Sequence, residues 1–186
     1  MKTHRMNPRN KEGRKVQTNK PSPAGGSDIA LKKILVPIDF SGHSKNALLY
    51  AVPFAERFHT SLDLLYVVEP AIYPADFSFG QIGFPNIEEE LKKTSEIELK
   101  RLMENVVHKN ITGRYALRTG KPFYEIIQYA EEEQIDLIII ATHGHSGMEQ
   151  VLFGSTAEKV VRKAPCPVLV VREGTREFIK KPGVRK

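Results

Sequence analysis

Asp39 ends the apolar run Ile34-Leu35-Val36-Pro37-Ile38, and Thr142-His143-Gly144 ends a second run, Leu137 to Ala141. After nine intervening residues, Gly144 is followed by Gly154 and Ser155, at the start of an amphipathic segment. That spacing suits a phosphate. Glycines let a backbone come close to an anion, and a helix N-terminus offers N–H groups without intrahelical partners. The helix dipole gives an exposed anion about 0.3–1 kcal/mol, so the N–H groups and packing must supply the rest. Neither G-x-x-x-x-G-K-[ST] nor G-x-G-x-x-G occurs, so this is not a P-loop or a dinucleotide fingerprint.

Each of these residues has a plainer reading beside the chemical one. Asp39 could hold a ribose hydroxyl, an adenine amine or a phosphate-bound metal, or it could cap the helix that follows. Ser155-Thr156-Ala157-Glu158 has the form of a capping box, in which serine caps the helix and glutamate caps back. Cap and phosphate can share one exposed turn. Gly144 and Gly147 could be simple turn glycines. His143 and His145 form an H-x-H pair, but a metal site needs three or four ligands, and no third clustered histidine or cysteine is near. No G-x-S-x-G elbow supports a hydrolase triad. Cys166, between Pro165 and Pro167, reads as a packed small residue rather than a reactive thiol.

The elements that must position these residues follow from hydrophobic spacing. Strands are expected at 34–38, 61–68, 114–118, 137–141 and 168–171. A helix over 44–58 presents Ala47, Leu48, Ala51, Val52, Ala55 and Phe58, with a kink expected at Pro53. Asn86 can cap a helix over about 87–108, with Glu88 to Glu90 at its start and His108 and Lys109 at its end. Pro122 suits a first helical position, and Phe123, Ile126, Ile127 and Ala130 mark that helix's buried face. A last helix runs from Ser155 to about Lys163, with Ala157, Val160, Val161 and Ala164 inward. The order βαβαβαβαβ implies a parallel sheet with helices on both faces. Near-continuous apolar strands agree, since parallel strands are buried on both sides. Ligands of such sheets sit beyond the carboxyl ends of the strands, where the strand order reverses.

The chain has 186 residues, 40% of them apolar, which fits one domain plus tails. Its formal charge of +6 is not spread over the fold. Residues 1–30 hold seven Lys/Arg against Glu12 and Asp28, and residues 172–186 hold six against Glu173 and Glu177. The intervening 31–171 carry 15 basic and 18 acidic residues. Three segments are therefore expected: a basic, disordered leader over 1–30, a folded domain over 31–172, and a basic tail over 173–186. The segment 69–86 reads as an insert without clear period. No apolar run reaches membrane-span length, the first 20 residues lack a secretory apolar core, and Cys166 is the single cysteine. A cytoplasmic protein is the default expectation, with no membrane partner and no nucleic-acid footprint on the fold itself.

The segments Lys33-Ile-Leu-Val-Pro-Ile-Asp39-Phe-Ser, Leu64-Leu-Tyr-Val67-Val, Asp136-Leu-Ile-Ile-Ile, Thr142-His-Gly144, Gly154-Ser155-Thr-Ala-Glu158 and Ala164-Pro-Cys-Pro-Val-Leu-Val-Val171 occur in one order. From about Lys32 to Val171 the chain resembles the universal stress protein family, in particular its ATP-binding subgroup. The resemblance implies a five-stranded parallel α/β sheet of order 3-2-1-4-5, the adenine nucleotide alpha hydrolase-like fold, and a homodimer through the last strand. It implies the pattern G-x-x-G, nine residues, G-[ST]. Gly144, Gly154 and Ser155 match that pattern, and Ala141 replaces its first glycine. By the same resemblance Pro37 and Ile38 line the base pocket, Asp39 contacts the nucleoside, and Val67 meets adenine through its backbone. Ala141, Thr142, Gly144, Gly154, Ser155 and Thr156 then surround the ribose and phosphates of ATP, with Mg²⁺ or Mn²⁺ as the accompanying ion. The implied role is nucleotide-dependent stress response or signalling. The rival readings are a slow ATPase or self-phosphorylating enzyme, and an interaction protein that docks through its basic leader. No lysine or arginine stands at a recognised motif position to stabilise phosphoryl transfer, so binding is favoured over turnover.

Overall fold

The computed structural model describes residues 29–70, 85–106, 111–142 and 154–172, with side chains of the second segment from Glu89 onward. Most of the leader, most of the 69–86 insert, His108, Lys109, the His143-to-Gly147 turn and the tail lie outside the described residues. The elements run β1 Lys33–Ile38, α1 Gly42–Phe58, β2 Ser61–Val68, α2 Pro85–Val106, β3 Gly113–Thr119, α3 Pro122–Glu132, β4 Leu137–Ala141, α4 Ser155–Lys163 and β5 Val168–Val171. All pairings are parallel, and the strand order is β3-β2-β1-β4-β5, as expected.

The strands are buried on both faces, which is why their sequences lack polar alternation. Side chains still alternate in direction. Ile34, Val36 and Ile38 of β1 join Leu62, Leu64, Ala47, Ala51 and Leu99 in a core under α1 and α2. Leu35 joins Leu65, Ile138, Ile140, Ile126, Ala130 and Val160 in a second core under α3 and α4. Helical spacing selected most of these positions correctly, but Tyr50 and Tyr129 are also buried, at 7% and 4% exposure. Val161, expected inward, is 45% exposed. The short α4 can bury only a narrow stripe, and Ala157 and Val160 occupy it.

Two helix starts differ from expectation. Helix α1 begins at Gly42, and its cap is Ser41, whose hydroxyl accepts from the Ser44 N–H. Asp39 therefore does not cap it. Helix α2 begins at Pro85, so Asn86 lies inside the helix instead of ahead of it. Proline is tolerated in a first turn, where its missing N–H has no partner to lose. Pro122 opens α3 for the same reason, as anticipated.

Gly120 joins β3 to α3 at φ +155°, a conformation that L side chains rarely adopt. A Cβ there would also stand 2.6 Å from the Glu125 Oε1. Gly120→Ala should cost about 1–2 kcal/mol, readable as a lower urea midpoint at unchanged slope. A midpoint equal to the parent's would show that the turn relaxes freely.

Candidate nucleotide site

The carboxyl ends of β1, β2 and β4 and the first turns of α3 and α4 enclose a cavity of about 390 Å³. That volume lies in the range of small-molecule sites. Pro37, Ile38 and Asp39 enter from β1, Val67 from β2, and Ala141 and Thr142 from β4. Gly154, Ser155 and Thr156 enter from α4. The structure thus brings nine of the ten expected residues to one cavity, and Gly144 lies outside the described residues. Sequence reasoning missed Ser44, Leu65, Glu69, Pro122, Ile126, Ile140 and Ala157 as lining residues. Glu69 follows the last residue of β2 much as Asp39 follows β1, and that strand-end position was the available signal. Ile126 and Pro122 gave none, because a buried helix face looks the same whether it meets core or ligand.

The β1 side is held rigidly. Asp39 Oδ1 accepts from the Ser41 N–H at 3.0 Å and from the Ser41 hydroxyl at 2.5 Å. The Asp39 N–H donates to the Ser44 Oγ at 3.3 Å, and the Ser44 hydroxyl donates to the Ser41 carbonyl at 3.2 Å. Between them Phe40 adopts φ +62°, uncommon for an aromatic residue. Its ring packs on Tyr66 at 4.8 Å between centroids, and this contact and the Asp39–Ser41 bonds hold the strained residue in place. The two bonds from Ser41 fix where the Asp39 carboxylate points.

The α4 side overturns the capping-box expectation. Gly154, not Ser155, is the N-cap, and no side chain hydrogen-bonds the cap. Ser155 is the first helical residue. The cause is tertiary: the Gly154 N–H donates to the Thr142 carbonyl at 2.7 Å, tying the helix start to the end of β4. The first intrahelical bond runs from the Glu158 N–H to the Gly154 carbonyl at 3.0 Å. The N–H groups of Ser155, Thr156 and Ala157 precede it and have no intrahelical acceptor. All three residues line the cavity. Gly154 has φ −67° and ψ 152°, open to any L-residue. Its backbone conformation therefore does not require glycine, although glycine is a favoured N-cap residue.

Among the described lining residues the charged groups are Asp39 and Glu69, both acidic. No cluster of three or more His, Cys, Asp or Glu suitable for a metal occurs among the described residues. A divalent ion held here would need oxygen ligands from its own nucleotide, as Mg²⁺ commonly takes them. Cys166 is half-buried, and burial pushes its thiol above the ordinary value, consistent with a packing role.

The opposite end of the sheet carries a different cluster. Asp63, wholly buried near the start of β2, accepts at Oδ2 from Arg114 Nε at 2.9 Å and from the Tyr129 hydroxyl at 3.1 Å. Arg114 also bonds Glu133 at 2.5 Å, and Lys33 Nζ donates to the Glu133 carbonyl at 2.6 Å. The hydrogen bond from Arg114 holds the Glu133 carboxyl below its ordinary value, whereas burial, and then Asp63, raise the Tyr129 phenol. This cluster lies at the amino ends of the strands, away from the cavity, and its work is structural.

The profile of the universal stress protein family matches residues 30–172. The chain belongs to the universal stress protein family. A universal stress protein of Methanocaldococcus jannaschii is 34% identical over 149 residues, covering 78% of this chain and 85% of that one. The solved universal stress protein UspA from Lactobacillus plantarum superposes with TM-score 0.63 at 29% identity, covering 78% of this chain and all of that one. These neighbours share the adenine nucleotide alpha hydrolase-like fold. A universal stress protein solved in complex with cAMP (21% identity, TM-score 0.53) and one from Arabidopsis thaliana with AMP bound (18%, 0.52) have the same fold. Among the described residues, no helix is long and apolar enough to cross a membrane.

Proposed function

We propose that this universal stress protein binds ATP in the 390 Å³ cavity and couples its occupancy to stress signalling. One observation carries the reading. The start of α4 has no side-chain cap, and Gly154, Ser155, Thr156 and Ala157 line the same cavity as the Asp39 carboxylate. Such a start presents N–H donors and a positive dipole end to an anion. Pro37, Ile38, Leu65 and Val67 give the same cavity an apolar side that suits a base, and Asp39 suits a nucleoside hydroxyl or amine. The cAMP and AMP held by two proteins of this fold support an adenine nucleotide as the ligand class. Because the described charged lining is acidic, a triphosphate enters best with Mg²⁺ or Mn²⁺ chelated to it.

Titration of a fluorescent ATP analogue into the protein with Mg²⁺ should saturate, with ATP and AMP competing. No saturable binding overturns the reading. We also propose a homodimer through β5. It is an outermost strand of the sheet, and Val168, Leu169 and Val170 remain half-exposed on it. Sedimentation should give twice the chain mass, and a monomer mass at micromolar concentration overturns that part.

A further inference from the structure

Helix α3 forms one wall of the cavity through Pro122 and Ile126, and one side chain of β3 grips that helix at three points. Arg118 pairs with Glu125 at 3.7 Å and with Glu132, and its guanidinium lies 5.0 Å from the centroid of the Tyr129 ring. All three partners belong to α3, and they span it from its first turn to its last residue. Arg118 stands in register with Val67 of β2, which lines the same cavity. Glu125 precedes Ile126 and packs against Gly120, so the carboxylate nearest the cavity wall is itself confined. Arg118 is 24% exposed, and its planar fork presents donors in a fixed geometry to both carboxylates, which a compact ammonium does not.

We infer that Arg118 is a positioning residue for the nucleoside side of the cavity: it clamps α3 against β3 and so sets the distance from Ile126 and Pro122 to Leu65 and Val67. This rests on the nucleotide reading above. The clamp's members all belong to β3 and α3 and none to α4, whose start would meet phosphates, so it governs the part of the ligand common to adenosine and ATP.

The test compares the parent, Arg118→Ala, Arg118→Lys and Val106→Ala, each at a temperature where its melt shows it folded. Val106 ends α2 and packs into the core on the other face of the sheet, so it serves as a destabilised control. Arg118→Ala should weaken adenosine and ATP by the same factor, roughly fivefold, as couplings through packed neighbours commonly do. Arg118→Lys should recover part of that loss, and Val106→Ala should bind as the parent does. Unchanged affinity in Arg118→Ala, a loss for ATP without one for adenosine, or an equal loss in Val106→Ala overturns the inference. Amide hydrogen exchange separates the two readings. Faster exchange confined to α3 in Arg118→Ala supports the clamp even without ligand, and unchanged exchange refutes it. A parent chain that binds no nucleotide removes the nucleotide reading and the affinity role with it.

Discussion

Gly154→Val should lose about ten- to a hundredfold in affinity for an ATP analogue, while its melting temperature stays within a few degrees of the parent's. The two halves of that expectation have separate causes. Gly154 sits at φ −67° and ψ 152°, where valine is at ease, so the backbone need not move. Its N–H still reaches the Thr142 carbonyl, so α4 stays tied to β4. The added isopropyl group, however, stands at the cavity lining beside Ser155, where a phosphate must approach the helix start. Overpacking of that kind costs about 1–3 kcal/mol, which is the stated range of affinity. Gly154→Ala should fall between the two. Parent-like binding by the valine variant would falsify a phosphate position at the start of α4.

Arg114→Ala should have the largest effect on stability. Asp63 is wholly buried, and its remaining partner would be the Tyr129 hydroxyl. Removing one member of a buried pair costs about 3–5 kcal/mol. Arg114 itself is 46% exposed, so solvent screens the pair and the lower end applies, about 3 kcal/mol. For a domain of this size that is a fall of roughly 6–12 °C in Tm. Adding Asp63→Asn should restore part of the loss, because the stranded charge is gone. A fall under about 2 °C would mean that water reaches Asp63 once the arginine is absent. The same contact sets a pH dependence. Arg114 holds Glu133 below its ordinary value, so that pair's stabilisation is complete above the ordinary carboxylate range and is lost as pH falls through the lowered one. Arg114→Ala should flatten this acid limb of the stability curve.

Much of the fold was legible because each strand is a short apolar run punctuated by turn residues. Strands β4 and β5 fall where the runs Leu137 to Ala141 and Val168 to Val171 place them. Alternation with amphipathic helices then leaves a parallel sheet as the economical arrangement. The charged members of the fold were not legible. Asp63 interrupts an apolar strand without any local sign that Arg114 would meet it. The parallel pairing of β2 with β3 sets Asp63 opposite Arg114, and pairing register is a property of two strands together. The three contacts of Arg118 escaped notice for the same reason, since its partners all lie on the helix that follows the turn.

At the candidate site, residue types at strand ends were enough to single out Asp39, Ala141, Thr142, Gly154 and Ser155, because turns and helix starts have strong local preferences. The capping-box pattern also correctly located the start of α4, but it misassigned the cap. A single long-range bond from Gly154 to Thr142 moved the cap back by one residue and placed Ser155 in the first helical turn. Likewise the positive φ of Phe40, next to Asp39, has no sign in the local sequence, and its ring is held by Tyr66 from the neighbouring strand. The sequence by itself determined which residues stand at the ends of the strands, since apolar periodicity and turn chemistry act over a few neighbours. Only the tertiary structure decided which of those ends share a cavity and which hydroxyl and N–H groups face into it. Those outcomes depend on pairings between segments far apart in the chain, and no local preference encodes them.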